Sequence, residues 1–70
     1  MSGHYAPIPI IDRMSAVLNN ILESSDGMRA TELLNKVAIP KTTLYRLLTS
    51  MTENGFLTYF PEAGMYSLGT

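Results

Sequence analysis

Two amphipathic patterns in this sequence meet at a short connection, since only Ala38-Ile39-Pro40 lies between Val37 and Lys41. The pattern before this connection runs from Ala30 to Val37, and a longer pattern extends from Pro40 to Asn54. In both, apolar residues recur three and four positions apart, as they do along one face of an α-helix. So short a connection allows only a sharp turn between the two helices, and the sequence therefore predicts a helix-turn-helix.

A further helix is predicted ahead of this pair, and polar residues at positions 24–27 end it. Pro40 is expected at the first position of the third helix, where the N–H that proline lacks would be unpaired. Gly55 is expected to end that helix as a C-cap. The residues predicted to face the core are Met14, Val17, Leu18, Ile21 and Leu22 in the first helix, Ala30, Leu33, Leu34 and Val37 in the second, and Leu44, Leu47, Leu48 and Met51 in the third.

The remaining residues predict a β-hairpin, with strands over 56–60 and 65–68 and a turn over 61–64. Met28-Arg29 is expected to add a short strand at the edge of this hairpin. The predicted fold class is mainly α with a small β-hairpin, a winged helix-turn-helix of three helices plus a wing. We expect this domain to occupy residues 10–70 and residues 1–9 to form a flexible N-terminal arm.

The residue types present argue against catalysis. The chain has 70 residues, no cysteine and one histidine, His4, which lies in the arm. No metal site or activated nucleophile can be assembled from this set, so we expect neither an enzyme nor a cofactor. The sequence also lacks a signal peptide and an apolar run of the ~18 residues that cross a bilayer. We therefore expect a cytoplasmic protein with no membrane partner; binding to DNA would in addition make it nucleoid-associated.

The net charge of −1 is unfavourable for a nucleic-acid-binding protein, because Lys and Arg supply much of the affinity for phosphate. The distribution of charge consequently matters more than its sum. Three of the five basic residues lie close together in the sequence, namely Lys36, Lys41 and Arg46. Four acidic residues lie elsewhere, namely Asp12, Glu23, Asp26 and Glu62.

The polar face of the third helix favours a recognition role. Opposite the apolar arc lie Thr42, Tyr45, Arg46, Thr49, Ser50 and Glu53. A solvated face without function would favour Lys and Glu pairs four residues apart, whereas hydroxyls and arginine contact base edges and phosphates. Arg46 is the leading candidate to read a base. In the alternative interpretation the hydroxyls merely fill exposed positions, and Arg46 pairs with Glu53 or Glu23.

The start of the third helix favours an anion. Lys41 lies at the positive end of the helix dipole, and no acidic residue occupies the first turn. The free N–H groups there, together with Lys41 and the hydroxyls of Thr42 and Thr43, predict a phosphate clamp. Alternatively, one of the two threonines only caps the helix.

Five segments in order carry a family resemblance: Asp12-Arg13-Met14 with Val17-Leu18, Thr31-Glu32-Leu33, residues 39–48, Gly55-Phe56-Leu57, and Tyr66-Ser67-Leu68-Gly69. On these segments the sequence resembles the N-terminal DNA-binding domain of the IclR family of bacterial transcriptional regulators. The family wing leads to a larger domain that binds a small-molecule effector. We expect that C-terminal domain to be absent here, because the chain ends at Thr70.

The resemblance implies a repressor or activator that binds a partly palindromic, double-stranded operator as a homodimer or higher oligomer. It implies that five residues lie at the DNA: Lys41, Thr42, Thr43, Tyr45 and Arg46. Thr49, Ser50, Arg29 and Thr31 complete the candidate DNA-binding residues. The wing turn departs from what DNA binding requires, because residues 61–64 contain Glu62 and no Lys or Arg.

The alternative function is a winged helix used for protein interaction or dimerisation, without DNA binding. Tyr45, Tyr59 and Tyr66 would then contact a partner chain. The acidic charge balance and the wing without cations support this alternative, whereas the hydroxyl-rich face of the third helix does not.

Overall fold

The computed structural model describes residues 8–69. Three helices, α1 (Pro9–Glu23), α2 (Ala30–Lys36) and α3 (Lys41–Glu53), precede two strands, β1 (Leu57–Phe60) and β2 (Met65–Leu68). This architecture confirms the predicted three helices plus wing. Most of the predicted arm, including His4, lies outside the described residues. Pro9 belongs to α1 and not to the arm.

Helix α1 contacts the core through an arc centred on Val17 and Ile21, which are 0% and 2% exposed. Met14 and Leu18 lie beside this arc, pack against the core and are half-buried. The prediction for Leu22 is wrong, since its side chain is 65% exposed. At ~100° per residue, Leu22 lies about 120° from the centre of the arc and therefore points to solvent.

The turn between α2 and α3 differs from the prediction in the position of Pro40. Its backbone dihedral angles, φ −56° and ψ 146°, are not helical, so Pro40 is the N-cap and Lys41 is the first helical residue. The carbonyl of Pro40 accepts the first helical hydrogen bond, from the N–H of Leu44 at 2.8 Å. Val37 likewise lies outside the helix as the C-cap of α2. Ile39, between them, is buried and joins the turn to the core.

Burial of the apolar arc of α3 fixes this helix against the rest of the domain. Its four predicted core residues are all buried, and Leu44 and Leu48 are both 0% exposed. Leu57 of β1 closes the core from the wing side. The eleven buried residues of this cluster are Val17, Ile21, Met28, Ala30, Leu33, Ile39, Leu44, Leu47, Leu48, Met51 and Leu57.

The two strands pair antiparallel, with Tyr59 opposite Tyr66 and Phe60 opposite Met65. The predicted edge strand is reduced to a single bridge between Met28 and Tyr66, formed by reciprocal backbone bonds of 2.9 and 2.7 Å. Gly27 precedes this bridge with φ 97°, and a Cβ there would lie 2.5 Å from the carbonyl oxygen of Tyr66. Only glycine fits this close approach of the α1–α2 turn to the wing.

The N-terminus of α2 depends on Glu32. The backbone N–H of Arg29 donates to Oε1 of Glu32 at 2.9 Å, and the carboxylate lies in the first turn of a seven-residue helix. Glu32→Ala removes the acceptor and the favourable charge, so we expect the free energy of unfolding to fall by about 0.5–1 kcal/mol in urea titrations. Glu23→Ala is the matched control, because Glu23 ends α1, where a negative charge is unfavourable. Equal losses in the two variants would contradict this role of Glu32.

Candidate nucleic-acid interface

Helix α3 presents a polar stripe to solvent. At ~100° per residue, Thr42, Arg46, Thr49 and Glu53 lie within a narrow arc directly opposite the buried residues of this helix. All four are exposed. Tyr45 borders the stripe on the side of the wing, and Ser50 borders it on the side of α1. The stripe is long enough to present side chains along more than three turns of helix.

The side chain of Arg46 is unpaired in the described part of the chain. It forms neither of the ion pairs that the alternative interpretation requires, with Glu53 or with Glu23, and it makes no hydrogen bond within residues 8–69. Arg46 lies at the exposed junction of two shallow grooves, one on the outer surface of α3 and one between α3 and the start of α1. Its five N–H donors are thus available to an external acceptor.

The first turn of α3 combines free backbone donors with a cation. Because Pro40 is the N-cap, the N–H groups of Lys41, Thr42 and Thr43 lie in the first turn and have no partner inside the helix. Neither threonine hydroxyl donates or accepts a hydrogen bond within the described residues, so the capping alternative does not account for them. Lys41 and Thr42 are exposed, and Thr43 is half-buried.

Lys36 does not join the other cations of the helix-turn-helix. It lies at the end of α2 and lines a separate groove with Asn20, Glu23 and Glu32. Closeness in sequence to Lys41 therefore does not place Lys36 on the polar stripe of α3. The cationic part of this surface consists of Lys41 and Arg46.

Arg29 connects the start of α2 with the wing. Its Nε donates to the backbone carbonyl of Ala63 in the wing turn at 3.4 Å, although 34 residues separate the two in sequence. Thr31, two residues further on, is exposed and lines a groove between the start of α2 and the wing together with Arg29. No pattern in the sequence predicts the contact of Arg29 with Ala63, because it depends on where the hairpin folds back onto the helices.

Three tyrosines gather where α3 meets the wing. The rings of Tyr59 and Tyr66 lie 4.7 Å apart and are tilted by 42°. Tyr45 lies in the same groove, on the wing side of α3. Burial raises the pKa of the Tyr66 hydroxyl, and Tyr59 and Tyr45 add to this shift.

The nine candidate DNA-binding residues thus fall into two groups. One group lies on α3 and faces solvent, and the other, Arg29 and Thr31, lies beside the wing, with Tyr45 between the two. Within residues 8–69, no group of three or more His, Cys, Asp or Glu is arranged to hold a metal ion. The helices of this region are all too short or too polar to cross a membrane.

Residues 10–61 match the sequence model of the IclR helix-turn-helix domain. The chain belongs to the IclR family. The match spans all three helices, β1 and the start of the wing turn, and it confirms the resemblance inferred from the sequence. This IclR-family chain therefore carries the DNA-binding domain of a transcriptional regulator.

Two bacterial repressors are similar to the IclR-family chain in sequence. The transcriptional repressor IclR of Escherichia coli (strain K12) is 36% identical to it over 53 residues. The acetate operon repressor of Salmonella typhimurium (strain LT2) is also 36% identical over 53 residues. In both cases the match covers 76% of this chain and 19% of the relative. The chain thus spans about one fifth of the length of these repressors.

Two solved structures share the fold. The repressor BlcR of Agobacterium tumefaciens superposes with a TM-score of 0.80 and 27% identity, over 89% of this chain and 25% of BlcR. An IclR transcriptional regulator from Alicyclobacillus acidocaldarius gives a TM-score of 0.79 and 27% identity, over 93% of this chain and 26% of the regulator. These matches confirm the winged helix-turn-helix as an IclR-type domain.

Proposed function

We propose that this domain binds double-stranded operator DNA in a sequence-specific manner, with α3 lying in the major groove. The observation that carries the proposal is the exposed stripe of Thr42, Arg46 and Thr49, which lies opposite a fully buried apolar arc. These side chains have no partners within the described residues, and their donors match acceptors on base edges. The names of the four relatives, three of them repressors, support a regulatory role.

The first turn of α3 binds phosphate, and the stripe reads bases. Lys41, Thr42 and Thr43 surround free N–H groups at the positive end of a helix of 13 residues. Arg46 forms a bidentate contact with guanine, and Thr49 and Ser50 contact neighbouring base edges or thymine methyl groups. Tyr45, Arg29 and Thr31 contact the backbone on the wing side, which completes the proposed interface.

Glu53 determines which end of α3 approaches the DNA most closely. It is exposed on the same stripe as Arg46, near the C-terminus of the helix, where its carboxylate would repel phosphates. The first two turns, which carry Lys41 and Arg46, contain no acidic residue. Helix α3 therefore enters the groove with its N-terminal end, as recognition helices do.

The full-length protein is proposed to act as a homodimer or higher oligomer on a two-fold operator. Half-sites one helical turn apart, at about 34 Å, require two copies of the recognition helix. The two repressors that are similar in sequence are each about five times longer than the matched segment. A full-length protein of that length has room for a further domain that binds a small-molecule effector. We place the protein in the cytoplasm on chromosomal DNA, in keeping with its bacterial relatives, and propose no catalytic activity.

Selection from random duplex DNA at two salt concentrations tests this function. We expect one enriched motif and an affinity that falls steeply as salt rises, because bound phosphates release counterions. The alternative, a module for protein interaction through Tyr45, Tyr59 and Tyr66, predicts no enriched motif and little dependence on salt. That second outcome would refute the proposal.

Lys41→Ala tests the phosphate clamp. The variant should bind every duplex more weakly, with the slope of log affinity against log salt reduced by about one unit. Fluorescence anisotropy on two unrelated duplexes measures both effects. Lys36→Ala is the matched control, since Lys36 lies beside Glu23 and Glu32, and it should leave the slope unchanged. A loss confined to one DNA sequence would contradict the phosphate role of Lys41.

A further inference from the structure

The wing of this domain has no cation of its own. After Arg46 the sequence contains no Lys or Arg, and its charged residues are Glu53 and Glu62. A wing that approaches DNA with this composition meets phosphate without neutralising it. Any positive charge at the wing must therefore come from another element.

Arg29 brings that charge to the wing. Its Nε donates to the Ala63 carbonyl at 3.4 Å, on the exposed surface of the domain. No carboxylate among the described residues pairs with its guanidinium. Glu32, its neighbour in sequence, accepts the backbone N–H of Arg29 instead, at 2.9 Å. The N–H donors of its two terminal NH₂ groups thus remain available to an external acceptor.

A groove beside Arg29 has the lining of an anion site. It has a volume of about 210 Å³. Its lining contains one guanidinium, several hydroxyls and no carboxylate, contributed by Arg29, Ala30, Thr31, Tyr45, Tyr59, Gly64 and Tyr66. Hydroxyl and guanidinium groups are donors for phosphate oxygens, and charge-assisted bonds of this kind are about twice as strong as neutral ones.

The groove joins the two halves of the proposed interface. Tyr45 belongs to α3, Tyr59 to β1, and Arg29 precedes α2, so a ligand bound there contacts three elements at once. The ring contact between Tyr59 and Tyr66, at 4.7 Å, supports the position of Tyr59. Tyr45 and Tyr59 are 38% and 42% exposed, so both reach the mouth of the groove.

We infer that this groove binds one backbone phosphate of the DNA duplex whose major groove holds α3. Arg29 supplies the charge that the wing lacks, and the hydroxyls of Thr31, Tyr45 and Tyr59 donate to the phosphate oxygens. The Ala63 carbonyl holds Arg29 against the wing turn, so the bound phosphate also fixes the wing. This inference rests on the proposed function and adds Tyr59 to the DNA-binding residues.

Arg29→Gln and Tyr59→Phe test the groove, with Lys36→Gln as the control of equal charge change. Binding of the 70-residue chain to a duplex of roughly 30 base pairs, about three helical turns, is measured from 50 to 200 mM salt. R29Q should lower affinity by about tenfold at the low-salt end and reduce the salt slope by about one unit. Y59F should lower affinity severalfold and keep the slope, because it removes a hydroxyl and no charge. Lys36→Gln should change neither.

Single neutral methylphosphonate substitutions along the duplex locate the contact. One position should weaken binding of the wild-type chain and leave R29Q unaffected. A wild-type chain that binds no duplex would overturn both the function and the groove. A wild-type chain with a steep salt slope, matched by the same slope in R29Q, would overturn the groove alone. Inorganic phosphate is titrated in parallel, and its binding is followed through the NMR signals of the Tyr59 ring. If phosphate saturates the groove while R29Q leaves the salt slope of DNA binding unchanged, the groove is a site for free phosphate and not for DNA.

Discussion

Replacing Leu48 by alanine is expected to lower the free energy of unfolding by about 2–5 kcal/mol. Leu48 is 0% exposed and lies in the recognition helix among the eleven core residues. A domain of 70 residues has a total stability of roughly 4–10 kcal/mol. The substitution therefore removes a large fraction of the total stability. The unfolded population should rise, and binding to specific and non-specific DNA should fall together in proportion to it.

Leu22→Ala is the matched control for this prediction. It makes the same chemical change at a leucine that is 65% exposed, where surface substitutions shift stability by less than about 0.5 kcal/mol. Urea titrations followed by circular dichroism compare the two variants, with the DNA affinity of each measured in parallel. Similar losses in the free energy of unfolding of the two variants would show that Leu48 has been wrongly assigned to the buried face of α3.

The comparison of Leu48 with Leu22 also shows how far the sequence predicts this fold. Periodicity placed both leucines on apolar faces, and for α3 every predicted core residue is buried. In α1 the pattern included one residue too many, because five apolar residues cover a wider arc than the neighbouring elements can bury. A single sequence gives the spacing of an apolar stripe, but the width of its contact depends on the packing partner.

The site was predictable where it depends on a single helix. The polar stripe of α3 follows from its sequence alone, and the tight turn before it follows from residues 38–40. The predicted position of Pro40 was wrong by one residue. The proline ring fixes φ at about −65°, and this value fits both an N-cap and the first turn of a helix, so the sequence does not distinguish the two positions. The pairing of Arg29 with Ala63 was not predictable, because it joins residues 34 positions apart that no periodic pattern connects.

Arg46→Ala is expected to weaken binding to the operator by about 1–3 kcal/mol, a factor of roughly 5–150, and to relax preference at one base position. The guanidinium is exposed and unpaired in the described chain, so its truncation should leave the fold intact. Removing a charge alone would weaken binding to all sequences. Loss of a bidentate contact has the further effect that one base pair is no longer distinguished.

Arg46→Lys separates these two effects. Lysine keeps the positive charge but lacks the planar fork that contacts two acceptors of guanine at once. Binding selection on random duplexes should therefore show the same relaxed position for Arg46→Lys as for Arg46→Ala, while the salt slope of the lysine variant stays that of the wild type. If both variants kept the wild-type motif, Arg46 would contact phosphate, and base recognition would pass to Thr42, Thr49 and Ser50. If Arg46→Lys alone kept the motif, charge and not fork geometry would determine recognition at that base pair.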